Sequence, residues 1–561
     1  MSRATFYPAL IGSIKEIKQN PRLLIDDLLA GVIVGIVALP LSIAFAIASG
    51  VDPQRGLVTA VIAGFAIAAF SGSKFQIGGP TGAFIVIVYG IVQKFGYDGL
   101  AVATVMAGLL LMTMGFLKLG DVIKFIPYPV TVGFTAGIAV IIFTTQVKEF
   151  FGFAGPMPEH FHQKILYYFT HINQVQLAAT IIGASSIAII LLWSKVSAKI
   201  PAPLVAILAT TIVVKIFDVP CETIFDRFGK ITCSLGKPAL PMITIDKLTM
   251  LFPSAVTIAI LAGVESLLSA VVADGMTGTK HKSNTELIGQ GIANVFSPLF
   301  GGIPATGAIA RTATNIKNGG KTSFAGIIHS ITILIIFLFM GRYAELIPMA
   351  TLSGILIIVA YNMGEWDLFT KILKTTKSDF FVLVTTFLLT IFVDLTVAIE
   401  AGMVMAAFLF MKQMIDITEL GYITRSMNGN KDAELHQHAN LIPNGVEVFE
   451  IEGPFFFGAA MRFRDTIAQV EKTPKVLILR MRHVPTIDAT GLNALEEIIK
   501  KTTKQGTAIL LCGVRPGLMK ILKNAELKGI VADEMILHSF ELALKKAREI
   551  LESKKQPEVK N

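Results

Sequence analysis

The stretch GGIPATGAIART, residues 301–312, puts three glycines, a proline and an arginine inside a run of apolar residues. Glycine and proline are poor residues for a helix interior. A guanidinium in hydrocarbon costs several kcal/mol, about 2.5–3.5 on insertion scales, so Arg311 needs a partner, and an anion is the simplest one. The alternative is an arginine whose long stem lets its head reach the membrane interface. A similar stretch, FQIGGPTGAF, occupies residues 75–84. Each has paired glycines, then Pro, Thr and Gly, then a short apolar run. A half-helix that starts inside a membrane presents free N–H groups and the positive end of its dipole. Two such ends facing each other make an anion site. Exposed backbone is tolerated at that depth only where it lines a cavity. Taken singly, each stretch also reads as a tight turn between spans.

Glu265 is the one acidic residue between Asp246 and Asp274, deep in an apolar run. Ala262, Glu265 and Ser269 share a helix face by their three- and four-residue spacing. A carboxyl withdrawn from water releases its proton less readily, so this one could bind and release a proton near neutrality. A structural hydrogen bond to a neighbouring helix is the other reading. Pro40 interrupts the first long apolar run. A break there would turn carbonyls and the Ser42 hydroxyl toward the same cavity, unless it is an ordinary membrane-helix proline.

These residues need a membrane scaffold. Of the 561 residues, 53% are hydrophobic and 16% charged, where a soluble chain carries about 25% charged residues. Several runs reach the roughly 20 apolar residues that cross a hydrocarbon core. Fourteen apolar segments lie between residues 28 and 412. The two Gly/Pro-broken stretches introduce the third segment of each seven-segment half, so the second half enters the membrane upside down. Broken segments at matching places in two halves point to a transporter binding site. The net charge of +9 comes from lysines scattered through short loops, which signal topology and no nucleic-acid partner. Arg3, Lys15, Lys18, Arg22, Lys118, Lys195, Lys282, Lys317 and Lys371 fall on one side, so both termini are expected in the cytoplasm, with the chain in the inner (plasma) membrane. The first run is too long for a cleaved signal segment.

Near residue 412 the composition changes. The reading is a membrane domain over 1–415, a polar linker over 416–443 and a cytoplasmic α/β domain over 444–555. Strands are expected near 446–458 and 475–481, and an amphipathic helix over 489–505. The three cysteines are too few for a zinc site. Cys512 reads as a buried thiol. Cys221 and Cys233 flank eleven residues of an outer loop, where an oxidising compartment would let them pair. No Walker loop, dinucleotide fingerprint or catalytic constellation is legible, so no cofactor, metal or enzyme activity is expected.

DDLLAGVIVGIVALPLSIAFA (26–46), GGPTGAFIVIV (78–88), ESLLSAVVADGMTGTKHKSNTELIGQGIAN (265–294) and GGIPATGAIARTATNIKNGG (301–320) resemble the SulP (sulfate permease) anion transporter family. The tail, with VPTIDATGLNALEEI at 484–498, resembles its STAS domain. The stretch GMTGTKHKSNTELIGQG is most similar to the bacterial C4-dicarboxylate branch. The resemblance implies an α-helical integral membrane protein with a seven-plus-seven inverted repeat, built as a core and a gate domain and followed by the STAS domain. It implies a homodimer and elevator-like alternating access. It places a small anion, sulfate or a C4-dicarboxylate such as succinate or fumarate, among Gly79, Pro80, Thr81, Thr306, Gly307, Ala308 and Arg311, with Ser42 contributed by the first segment. Glu265 becomes the coupling residue, with Ser269 beside it. Sodium-linked bicarbonate members have aspartate there, so glutamate favours proton symport over sodium. Leu41, where many sulfate permeases have glutamine, departs from the sulfate pattern. Thr490 matches the Ser/Thr that some STAS domains phosphorylate, and it also reads as a helix cap. The tail is expected to control assembly or stability, or to bind a cytoplasmic protein partner. The competing readings are sodium-coupled bicarbonate uptake, an anion channel or exchanger, a nucleobase permease, and a membrane-tethered signalling protein.

Overall fold

Between helices in hydrocarbon there is no hydrophobic force, so packing rests on close approach of small residues. Gly108 and Gly291 show this: a Cβ on either would lie within 2.7 Å of the other's carbonyl oxygen. The computed structural model describes residues 6–121, 127–155, 157–158, 160–196, 200–242, 244–393, 395–417, 419–422, 442–468, 473–524 and 531–553. The chain divides into two compact units, Met1–Ala406 and Ala407–Asn561.

The first unit starts with a short helix, α1 (Ala9–Gln19), followed by α2 (Leu23–Ala48) and α3 (Pro53–Phe70). Strand β1 (Gly78–Gly79) then leads into α4 (Ile85–Phe116). Gly96 sits at φ +67° inside α4 and divides it into a short arm and a long arm; only glycine adopts that conformation cheaply. The half closes with α5 (Tyr128–Phe151), a short α6 (Phe161–Thr170), α7 (Leu177–Val196) and α8 (Ala202–Ile216). After the small α9 (Ile224–Phe228) the second half repeats the plan, with α10 (Ile245–Thr277), α11 (Ser283–Leu299), β2 (Thr306–Gly307), α12 (Ile309–Lys317) and α13 (Phe324–Met340). It ends with α14 (Met349–Met363), the short α15 (Trp366–Ile372), α16 (Lys377–Phe392) and α17 (Leu395–Ile417).

Each of the fourteen expected segments finds a helix or helix arm. Among the described residues, seven helical stretches are long and apolar enough to cross a membrane. Packing follows the repeat: α4 lies against α10 and α11, and in the same way α13 lies against α2 and α3. A second group joins α5 to α14 and α16, and α7 to α8 and α14.

Two buried carboxylates tie loops to the first group. Asp27 Oδ1 accepts from the Lys321 and Thr322 amides at 2.7 and 3.0 Å. Glu286 Oε2 accepts from the Gly72 and Ser73 amides at 2.9 and 3.0 Å. Each carboxylate satisfies donors that would otherwise be buried without partners. The Gly301–Gly302 turn is held in the same manner, by Arg55 Nη1 donating to Gly301 O (3.1 Å) and Tyr97 Oη to Gly302 O (2.8 Å). Cys221 and Cys233 are free thiols, so the pairing that their spacing left open is not made in this structure. Cys221 packs beside Ala179, Ile182 and Val214, whereas Cys233 Sγ faces Gly341.

The second unit contains a five-stranded sheet in the order β3-β4-β5-β6-β7: β3 (Glu419–Tyr422), β4 (Val446–Glu452), β5 (Val476–His483), β6 (Ala508–Cys512) and β7 (Ile536–Leu537). Strand β3 runs antiparallel to β4, and the others are parallel. Parallel strands need crossovers and bury both faces, and alternate residues here do so. Phe449, Leu477, Leu479 and Leu511 enter one core, with α18 (Phe457–Ala468), α19 (Ala489–Lys504) and α20 (Pro516–Asn524) over it. Val448, Ile478, Leu510 and Cys512 enter the other, under α21 (Phe540–Ser553). Burial pushes the Cys512 thiol up to about 11, which keeps it protonated. Strand β3 falls in the stretch expected to be linker; residues 423–441 of that stretch lie outside the described residues.

Candidate functional site

The two broken stretches meet in the middle of the membrane unit. Strands β1 and β2 pair antiparallel, Gly78 opposite Gly307 and Gly79 opposite Thr306. The ladder continues as the Ala308 amide donates to Ile77 O at 2.8 Å. Glycine is required for this approach: a Cβ at Gly307 would lie 1.4 Å from Gln76 Nε2, and one at Gly78 2.1 Å from Ile67 Cδ1. From this crossing the chain enters a half-helix on each side. The first helical bond of α12 runs from Thr312 N to Ala308 O (2.9 Å), so the amides of Ile309, Ala310 and Arg311 come before it. On the other side the first bond is Phe84 N to Thr81 O, 3.3 Å. These leading amides are the unfilled donors of a helix start, and Ile309 and Ala310 are exposed.

Arg311 is buried, 3% exposed. Its Nη2 donates to Pro80 O at 2.9 Å. Its Nη1 has no hydrogen-bond partner among the described residues. A Cβ at Gly79 would stand 2.6 Å from that nitrogen, so the glycine leaves the room it occupies. The Phe45 ring lies 6.0 Å from the guanidinium carbon. A buried cation with an unfilled donor beside two helix starts is suited to an anion with several acceptor oxygens.

One residue along from Pro80, the Thr81 hydroxyl donates to Glu265 Oε2 at 3.0 Å. Thr81 and Glu265 are both half-buried. The dipeptide Pro80-Thr81 therefore touches the guanidinium with its carbonyl and the carboxylate with its hydroxyl.

The remaining expected site residues divide. Ser42 is fully buried and donates to Ala38 O within its own helix (2.8 Å). Its carbonyl oxygen would lie 2.0 Å from a Cβ at Gly56, so Ser42 lies at the α2–α3 contact. Helix α2 runs unbroken through Pro40, which is why the expected turning of Ser42 toward the cavity does not occur. Ser269 hydrogen-bonds Gln76 Oε1 (3.1 Å) and Thr312 Oγ1 (3.2 Å), away from Glu265. Thr306 is buried and donates to Ala262 O (2.8 Å). Ala308 spends its amide on the ladder.

Sequence reasoning missed the polar cluster behind the crossing. Gln76 Nε2 donates to Ser266 O and Ser266 Oγ, both at 3.2 Å. Ser266 Oγ in turn donates to Glu286 Oε1 (2.7 Å). This chain links the break to the loop amides on Glu286. Phe45 was missed too; apolar in an apolar run, it carries no signal of its own.

In the second unit Thr490 is exposed, and the cap of α19 is Asp488, whose Oδ1 accepts from the Gly491 amide at 2.7 Å. The expected capping role belongs to Asp488. Glu450, Glu452 and His483 have ligand atoms within 4.8 Å of one another. The buried Arg480 guanidinium, 3.0 Å from Glu450 Oε1, already supplies a positive charge there.

Residues 24–386 match the sulfate permease family and residues 439–545 the STAS domain. A putative sulfate transporter of Bacillus subtilis, YvdB, is 41% identical over 505 residues, covering 89% of this chain and 93% of that one. The bicarbonate transporter BicA of Picosynechococcus is 29% identical over 549 residues, covering 93% and 94%. The fold is similar to that of the murine Solute Carrier 26 member A9 anion transporter in its inward-facing state, with a TM-score of 0.84 at 19% identity over 98% of this chain and 96% of that one. The two curated relatives carry sulfate and bicarbonate names, and neither supports the C4-dicarboxylate branch.

Proposed function

The chain belongs to the sulfate permease family and is an integral membrane anion transporter, and from that premise we propose secondary active uptake of a small oxyanion, sulfate or bicarbonate, coupled to a proton. The observation that carries the reading is the Pro80-Thr81 link between Arg311 and Glu265. In this scheme an oxyanion accepts from Arg311 Nη1 and from the leading amides of α12 and of the half-helix after Thr81. Glu265 as carboxylate holds the Thr81 hydroxyl. When Glu265 takes up a proton, its charge no longer opposes a second anion nearby, and Thr81 is released to donate to the substrate. Anion and proton then bind together, which is what symport requires.

The helices that hold the ladder and its polar cluster, α2–α4 and α10–α13, make the moving core of an elevator-like cycle, and α5, α7, α8, α14, α16 and α17 make the gate. The packing of α14 on α5 and α7 supports this division, and Met363 of α14, whose Sδ would lie 3.4 Å from a Cβ at Gly82, marks a place where the two groups meet. The lysine distribution supports a plasma-membrane protein with both termini and the STAS domain in the cytoplasm. By family resemblance the working unit is a homodimer. Similarity to the bicarbonate transporter BicA favours bicarbonate as substrate, and the sodium-linked members that the chain resembles give a second reading, bicarbonate uptake driven by sodium.

Reconstituted protein separates these readings. Proteoliposomes are given labelled sulfate, bicarbonate, succinate or fumarate under a pH gradient, a sodium gradient or neither. Accumulation of sulfate or bicarbonate that follows the pH gradient is the expected result. Accumulation that follows sodium alone establishes the second reading, and flux that only dissipates the anion's own gradient makes the protein a channel or facilitator.

A further inference from the structure

His329, on α13, is fully buried, and the scheme above gives it no task. Both of its ring nitrogens lack a hydrogen-bond partner among the described residues. The Val34 backbone on α2 lies beside the ring, without closing a bond to either nitrogen. Buried polar atoms left in this way are rare, and each calls for an explanation. An apolar side chain would fill the same space without the cost of withdrawing an imidazole from water.

The ring's surroundings connect it to the anion site. A Cβ at Gly64 would lie 3.8 Å from His329 Cδ2 and 3.2 Å from Gly78 O, which puts the ring edge that carries Cδ2 and Nε2 near β1. Arg311 Nη1 borders the next positions along the same two elements. A Cβ at Gly79 would lie 2.6 Å from that nitrogen and 3.6 Å from Ala60 Cα. Gly78 and Gly79 are neighbours, and Ala60 and Gly64 are one turn apart on α3. Ser330, next to His329, reaches this turn as well, its Oγ 3.5 Å from Ala60 O. The histidine and Arg311 Nη1 are thus lodged against one strip of α3 and β1, close enough for the guanidinium charge to act on the ring.

Of these two groups, one is a donor without an acceptor and the other can supply the acceptor. A neutral imidazole has one N–H and one bare nitrogen. An N–H turned to the Val34 carbonyl leaves the second nitrogen bare. In the scheme above Nη1 donates to the bound anion. A symporter then returns empty, and in passage the gate shuts water out of the site. A guanidinium N–H left unfilled over that interval is costly. We infer that His329 is the resting partner of Arg311: in the empty site its bare nitrogen accepts from Nη1, directly after a small turn of the ring or through one water, and it yields the donor when an anion arrives. The inference rests on the transport reading above. His329 is on this account a positioning residue, which touches no substrate and keeps the guanidinium aimed while the empty core returns.

The test uses full-length protein in proteoliposomes, with radiolabelled sulfate as the probe and radiolabelled bicarbonate as a second. Net uptake into anion-free vesicles requires the empty site to return, whereas counterflow into vesicles preloaded with unlabelled anion does not. For His329→Leu, which is similar in volume but has no acceptor, net uptake falls about tenfold, as expected when a buried charged donor loses its acceptor. Counterflow keeps its wild-type rate and KM, and His329→Gln, which supplies an acceptor again, restores most of the net uptake. His329→Met replaces the leucine variant if that one fails to fold. Equal losses in net uptake and counterflow, no loss in either, or a glutamine variant no better than the leucine one overturns the resting partnership and leaves the transport reading standing. Wild-type protein that exchanges anion without net uptake, or that moves neither probe, overturns both.

Discussion

Around Gly78 the chain turns into a half-helix with a half-buried threonine at its mouth; around Gly307 it turns into one with a buried arginine in its first turn. The Thr81-Gly82 and Thr306-Gly307 dipeptides align in sequence but not in space. The ladder sets Gly307 opposite Gly78, so Thr306 lies within the strand pair while Thr81 lies beyond it. Thr306 is fully buried and holds a backbone carbonyl of α10. Thr81 reaches the Glu265 carboxylate. By the sequence alignment, Val86 stands where the second break has Arg311. The repeat therefore supplies a symmetric scaffold, with one crossing and two helix starts, and each half adds a different chemical part. One gives a fixed charge, and the other gives a hydroxyl whose partner can change protonation state.

Removing the fixed charge should have the largest effect. Arg311→Ala is expected to weaken anion binding by about a hundredfold, as loss of a charge-assisted contact in a low-dielectric site implies. Arg311→Lys recovers only part, because the flat fork that reaches both Pro80 O and the substrate is gone. Titration calorimetry on detergent-purified protein reads both; an alanine variant that binds like wild type would place the charge outside the site. The matching change in the other half is Glu265→Gln. It should abolish accumulation driven by a pH gradient and leave anion counterflow measurable, since the glutamine still meets Thr81 but carries no proton. Undiminished pH-driven accumulation in that variant would remove Glu265 from the coupling step.

Arg311 and Glu265 were legible because a lone charge in a long apolar run is conspicuous, and the breaks because glycine and proline cluster where helix is otherwise continuous. The fourteen segments followed from run length. What was not legible depended on partners distant in the chain. Glu286, in the polar stretch SNTELIGQG, looks like a solvated helix start. It is fully buried because the Gly72 and Ser73 amides, 214 and 213 residues away, need an acceptor. Sequence alone left Pro40 open between a break and an ordinary membrane-helix proline; α2 continues through it and keeps the Ser42 hydroxyl on its own helix. Strand β3 was taken for linker because its four residues carry no alternation strong enough to show an edge strand.

The glycines give a comparison of intermediate size. A Cβ at Gly307 would overlap the Gln76 amide, which is buried and hydrogen-bonded to Ser266. A Cβ at Gly82 meets the Met363 sulfur at 3.4 Å, ordinary contact with an adaptable side chain. Gly307→Ala should therefore destabilise the protein by about 1–3 kcal/mol, the usual cost of overpacking, and Gly82→Ala should cost much less. Thermal unfolding followed in detergent distinguishes them. Equal losses would mean that the two breaks are packed alike after all.

The smallest effect is expected from the two threonines, and it bears most directly on how the halves differ. Thr306→Val keeps shape and volume but removes the donor to Ala262 O. A carbonyl left without that bond in a buried position costs about 1 kcal/mol or somewhat more. The strand pair, the glycines and Arg311 are untouched, so the KM for anion should stay at its wild-type value while thermal stability falls slightly. Thr81→Val removes a hydroxyl whose partner is the half-buried Glu265. A half-buried carboxylate retains access to water, so stability should change little. Here the transport measurement should move: in the proposed scheme the hydroxyl holds the carboxylate and, once Glu265 is protonated, donates to the substrate, so KM and the pH dependence of uptake should change together. Thr81→Ser, which keeps the donor, should restore both. The two substitutions thus exchange their readouts, stability for one and transport for the other. If Thr306→Val instead shifts KM while Thr81→Val leaves transport as it was, the chemistry lies on the opposite half-helix, and the division of labour drawn from the ladder register is wrong.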